Sequence, residues 1–205
     1  MKKIIVGLFI IAFATSLSAE AFDWNSALNF LGRVSENNTT ETQPVSLNEL
    51  ETRMTAIDNT VQTAFIDVVS DLSGWKETWD VKSQLKQSGS ESLVKTITEY
   101  TNSYLANNRQ TIVNKIKKMS SKEKTALIND LAKLKESEEN YLLLATNGVK
   151  SATNALSAAQ NLTEVTDTIT SVNRIAASLK NRATTVMTFA NQIKTIANAA
   201  GVSVN

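Results

Sequence analysis

The carboxylates come closest to chemistry in this sequence. Glu136, Glu138 and Glu139 cluster, and Glu164 and Asp167 lie three residues apart, a spacing that sets both on one helix face. Paired carboxylates do acid–base work or hold two metals, but a four-helix di-iron site draws on Glu-x-x-His pairs. This chain of 205 residues has no histidine and no cysteine. Zinc, haem and copper sites, Ser-His triads, thiol nucleophiles and most neutral-pH proton shuttles lean on those two residue types. Ser-x-x-Lys occurs as Ser83-Gln-Leu-Lys86 and Ser92-Leu-Val-Lys95, a short pattern expected by chance in a chain rich in both residues. No glycine-rich phosphate loop and no Gly-x-Ser-x-Gly elbow is present in the sequence. The expectation is a protein that is not an enzyme, with no metal, no cofactor and no small-molecule substrate.

Binding is the other route to function. Twenty-one Lys plus Arg against 20 Asp plus Glu leave a formal charge of +1. No overall basic field gathers nucleic acid by counterion release, so nucleic acid is not an expected partner. Charge is nevertheless uneven: residues 22–73 carry two basic and eight acidic side chains, whereas 74–148 carry twelve and nine. Arg109, Lys115, Lys117, Lys118, Lys122 and Lys124 surround a predicted turn at Ser120. Cations beside a helix C-terminus complement its dipole, and the same tip is a candidate contact for a polyanion or anionic lipid. Trp75 and Trp79, four residues apart, share a helix face, and Phe22, Trp24 and Phe30 crowd a second stretch. Such sets are expected as core anchors, and the alternative for either is an exposed docking or membrane-interface patch.

The elements that must position these residues begin after a leader. Lys2 and Lys3 form a positive start, Ile4 to Ala14 are apolar apart from Gly7, and Ala19-Glu20-Ala21 fits a small-x-small cleavage site. This reads as a signal peptide over residues 1–21, too short to span a membrane, and it directs the mature chain to the periplasm or the cell exterior. With no cysteine to form disulfides there, stability must come from packing. Residues 22–45 read as a short amphipathic helix, Phe22 to Val34, followed by a polar linker that ends at Pro44.

Residues 46–205 read as one helical domain. Six glycines and one proline in the whole chain are too few to turn many strands. Ser46 with Glu49 forms a capping box, after which Leu47, Leu50, Met54, Ile57, Val61, Ala64, Val68 and Leu72 follow at steps of three and four. A shorter helix after Gly74 ends near Ser88-Gly89-Ser90. Leu93, Ile97, Tyr100, Tyr104, Ile112, Ile116 and Met119 make the next stripe, and Ser120 with Glu123 caps another helix. Its stripe is Leu127, Leu131, Leu134, Tyr141 and Ala145, interrupted by Glu138, and Asn147-Gly148 is the expected stop.

The last third repeats most regularly. From Leu162 and Val165 to Ala197 and Ala200 the apolar residues alternate steps of three and four, a heptad seam with alanine at 176, 183, 190 and 197. Ala176, Leu179, Ala183, Val186, Ala190, Ile193 and Ala197 are the candidate helix-packing or self-association seam. From Val165 the rod would run roughly 50 Å at ~1.5 Å per residue, and the sequence leaves open a start near Ser151 or after Asn161. The opposite face, Thr184, Thr185, Thr188, Asn191, Gln192, Thr195 and Asn198, is uncharged and reads as solvated, with a second packing surface as the alternative. The fold expected is all-α: an elongated antiparallel bundle of about four long helices with coiled-coil-like heptad packing. The function expected is an interaction or scaffolding module that binds a protein partner or a second copy of itself. The alternative is a membrane-acting helical protein, pore-forming or lipid-binding.

Overall fold

Helices α1 (Leu47–Leu72), α2 (Trp75–Gln87), α3 (Gly89–Glu99), α4 (Ala106–Lys118), α5 (Ser121–Ala158) and α6 (Leu162–Ala199) follow one another in this computed structural model. A π-helical segment, Tyr100–Leu105, joins α3 to α4. The structure describes residues 47–87, 89–158 and 162–204, all within one compact unit, Thr42–Asn205. The protein is all-helical, with no strand among the described residues. The leader, the short helix and linker of residues 22–45 and the Ser46 cap lie outside them.

The long helices pack on one another through the stripes that their spacing announces. Leu50, Val61, Ala64, Val68 and Leu72 of α1 are buried, as are Leu127, Leu131, Leu134 and Tyr141 of α5. Leu179, Ala183, Val186, Ile193 and Ala197 of α6 join the same core. Leu50 and Val172 both lie against Gly148, and Tyr141 and Arg182 both reach Asp58. Numbers therefore rise together along α1 and α6 while they fall along α5, so α5 runs against its two neighbours. Phe65 of α1 meets Phe189 of α6 edge-on at 5.0 Å and Tyr100 of the π segment at 5.7 Å, which closes an aromatic centre between three elements.

Two helix ends follow from local chemistry. At the start of α5 the Ser120 amide donates to Glu123 Oε2 at 2.7 Å while the Glu123 amide donates to Ser120 Oγ at 3.3 Å, the reciprocal pair of a capping box. That hydrogen bonding holds the Glu123 carboxyl below its usual range. The chain leaves α6 through Gly201 at φ +82°, and the Val202 amide returns to the Ala197 carbonyl at 3.0 Å. This is a Schellman ending, which only a residue without Cβ makes cheaply.

Gly148 corrects an expectation. It does not stop a helix but lies buried inside α5, which continues to Ala158. A Cβ at 148 would sit 3.2 Å from Leu50 Cδ1 and 3.8 Å from Val172 Cγ1. Glycine here admits its neighbours to the helix backbone, and packing overrides its weak helix propensity. The second long helix accordingly starts at Leu162 rather than near Ser151.

The π segment is the other departure. The stripe of residues 93–119 skips from Tyr104 to Ile112 because the wider turn moves burial from Tyr104, half-buried, to Leu105, which is buried. Asn108, with φ −118° and ψ 15°, bends the chain again, and its side-chain amide donates to the Tyr104 carbonyl at 2.9 Å.

Candidate functional site

Two polar constructions stand out, one inside the helices and one at an end. The internal one begins with Asp58, which falls on the apolar face of α1 and is 7% exposed. Its Oδ1 accepts from the Tyr141 hydroxyl at 2.6 Å and from Arg182 Nε at 2.9 Å. Arg182 Nη1 also donates to the Ser178 hydroxyl. Burial first, and then the hydrogen bond to Asp58, push the Tyr141 hydroxyl far up, so it stays a donor. Asp58 Oδ2 is buried without a hydrogen-bond partner among the described residues. One carboxylate, one phenol and one guanidinium thus tie α1, α5 and α6 at a single level. A slide of any of the three helices by one turn would strand a buried charge, at a cost of several kcal/mol (~3–5).

The second construction is built where α1 ends. The Ser73 amide closes the last turn on Val69 at 2.8 Å, and the Ser73 hydroxyl hydrogen-bonds with that of Tyr100. Lys115 Nζ reaches across from α4 and donates to the Ser73 carbonyl at 2.7 Å, satisfying an orphan acceptor at the helix C-terminus. Burial raises the Tyr100 hydroxyl well above its ordinary range. The π segment therefore has a visible use: it presents Tyr100 to the residue from which the chain turns into α2.

What that turn launches is the Trp pair. Trp75 and Trp79 occupy the first two turns of α2 with their rings stacked at 6.5 Å and 24°. They are 80% and 57% exposed, the two most exposed large apolar side chains described, so the expected core anchoring is overturned. The reason lies in α2 itself: Val81 and Leu85 are its buried residues among those described, and Trp75 and Trp79 are turned away from them into solvent.

The basic tip meets this end. Lys115 bridges to Ser73, two residues from Trp75, while Lys117, Lys118 and Lys122 are exposed and Lys124 is half-buried around the α4–α5 turn. None of Lys117, Lys118, Lys122 and Lys124 forms an ion pair among the described residues. Arg109, also exposed, stands apart, about 9 Å before Lys115 along α4 at ~1.5 Å per residue. Asp71 lies among Asp130, Asp67, Lys115 and Glu123, and burial followed by Asp130 raises its carboxyl. Two sets that the sequence keeps forty residues apart thus share one end of the helices.

The remaining candidates are dispersed. Ala183 and Ala197 are buried in the chain's own core, half-buried Ala190 packs against it, and Ala176 is half-buried. The uncharged face of α6 is solvated: Thr184, Thr188, Asn191, Thr195 and Asn198 are exposed, and Thr185 and Gln192 half-buried. Glu136 and Glu139 are exposed. Glu138 is half-buried, and burial, then Glu139, raises its carboxyl. The side chains of Glu164 and Asp167, like Phe22, Trp24 and Phe30, lie outside the described residues. Among the described residues no cluster of acidic side chains is gathered to hold a metal ion, and no helix is long and apolar enough to cross a membrane.

Asp58 and Arg182 are the residues that sequence reasoning missed, and a signal for them exists. Ile175, Phe189 and Ile196 share with Arg182 a column that repeats every seventh residue, apolar but for that one charge. Comparison with protein-family models, with curated proteins and with solved structures finds no match for this chain.

Proposed function

We propose that this chain is an exported, non-catalytic interaction or scaffolding module of the periplasm or cell exterior. It is a bundle of about four long helices with coiled-coil-like heptad packing, and it acts by contact rather than by turnover. The observation that carries this reading is the stacked Trp75–Trp79 pair, left in water by a chain that buries Phe65, Phe189 and Tyr141 completely. Two indoles held side by side cost free energy in solvent and are the side chains most enriched where proteins make contacts. The bracing of the same turn by Ser73, Tyr100 and Lys115 supports it, because a preorganised surface loses less entropy on binding.

Site-specific photo-crosslinking in the producing cell tests this. A photoreactive residue at position 79 is expected to yield adducts that are absent when the same residue stands at exposed position 150. Equal labelling at both positions, or none at either, would remove the reading.

A further inference from the structure

We propose that the partner of the Trp75–Trp79 end is the surface of an anionic lipid bilayer, which the indoles enter at headgroup depth while the α4–α5 lysines hold the charged lipids. This names the partner of the surface just described and rests on that reading.

Three observations favour lipid over a folded protein. First, the apolar contribution is small: two Trp side chains offer about 300–500 Å² together, short of the roughly 800 Å² per partner that a stable protein interface buries. A bilayer needs no complementary shape. Second, Trp carries both an apolar body and a polar N–H, the combination that settles at membrane–water interfaces. Third, Lys117, Lys118 and Lys122 are exposed without carboxylate partners among the described residues, and Lys115 ties α4, which carries the first two, to Ser73 at the turn before Trp75. Of the ten residues from Lys115 to Lys124, five are lysines and one is acidic, and that one, Glu123, is engaged by Ser120. Acidic side chains do lie nearby: Asp67 and Asp71 on α1, Asp130 on α5, and Glu77 and Asp80 on α2. Attraction should therefore be moderate and salt-sensitive, a peripheral contact and not an insertion, in keeping with the absence of a spanning helix among the described residues.

The test is flotation of the full chain, as recovered from the producing cell, with vesicles of phosphatidylcholine alone or with one third phosphatidylglycerol. Variants Trp75→Ser/Trp79→Ser and Lys117→Gln/Lys118→Gln are made in the same chain, so any contribution of its N-terminal residues is common to all. Circular dichroism confirms that each variant keeps its helicity. The wild type is expected to float with the anionic vesicles only and to be released as salt rises. Each variant should bind about tenfold or more weakly, on the scale set for basic residues at anionic surfaces. Wild-type and variant chains that float alike, equal binding to uncharged vesicles, or no flotation at all would each overturn the proposal. In those cases adducts to a protein at position 79 in the cell would leave the interaction reading standing, and their absence would remove both.

Discussion

The level of Asp58 and the end that bears Trp75 are opposite solutions to the placement of awkward side chains. At Asp58 the chain buries a charge among apolar residues and compensates it with Tyr141 and Arg182. At Trp75 it exposes the residue type most costly to leave in water, and surrounds it with ions. The first arrangement fixes how three helices align; the second does nothing for the core. Side chains that break the inside–outside rule thus divide into those answered by partners within the chain and those still lacking one, and only the latter point outward to function.

The contrast can be broken from its buried side first. Asp58→Ala leaves Arg182 a buried cation with one carboxylate fewer and should cost about 3–5 kcal/mol, read from urea unfolding followed by circular dichroism. Replacing both charges, Asp58→Leu with Arg182→Met, should recover most of that loss, since well-packed apolar pairs match buried ion pairs in stability. If each single variant costs under about 1 kcal/mol, the pair does not hold the helices. Gly148→Val should destabilise by about 1–3 kcal/mol through overpacking against Leu50, whereas Gly148→Ala gains helix propensity that offsets the milder crowding.

The exposed side predicts small numbers. Trp75→Ser/Trp79→Ser should change unfolding free energy by no more than about 0.5 kcal/mol, and a larger loss would return the pair to the core. Asp71 sharpens the comparison through pH. Its folded-state carboxyl titrates above the unfolded value, so between the two the folded chain binds more protons and stability falls as pH rises. Asp71→Asn should therefore stabilise slightly, by about 0.5 kcal/mol or less after solvent screening, at neutral pH. That advantage should fade as the solution is brought below the carboxylate range.

Much of the helical plan is written in apolar spacing. The stripes of α1 and α6 repeat without interruption, and Ser120 with Glu123 marks the start of α5 as well as any capping pair can. What spacing does not carry is the environment that a face meets. Gly148 reads as a stop until Leu50 and Val172 are seen pressing on it. The π turn at Tyr100–Leu105 resets a stripe that otherwise looks faulty. Trp75 and Trp79 share a face on paper, yet α2 buries Val81 and Leu85 instead, because thirteen residues of mostly polar helix have only one small apolar patch to offer. The Trp pair and the lysines are brought to one end by contacts distant in sequence, such as Lys115 with Ser73 across forty-two residues, which no local pattern encodes.

Everything assigned to the Trp75 end requires that its indoles stand in water on a folded chain. Iodide quenching of tryptophan fluorescence in Trp24→Phe chains, where only Trp75 and Trp79 emit, measures this directly. Emission close to that of free tryptophan, with quenching nearly as strong in the native protein as in urea, is the predicted result. Blue-shifted emission that iodide reaches only after unfolding would contradict it.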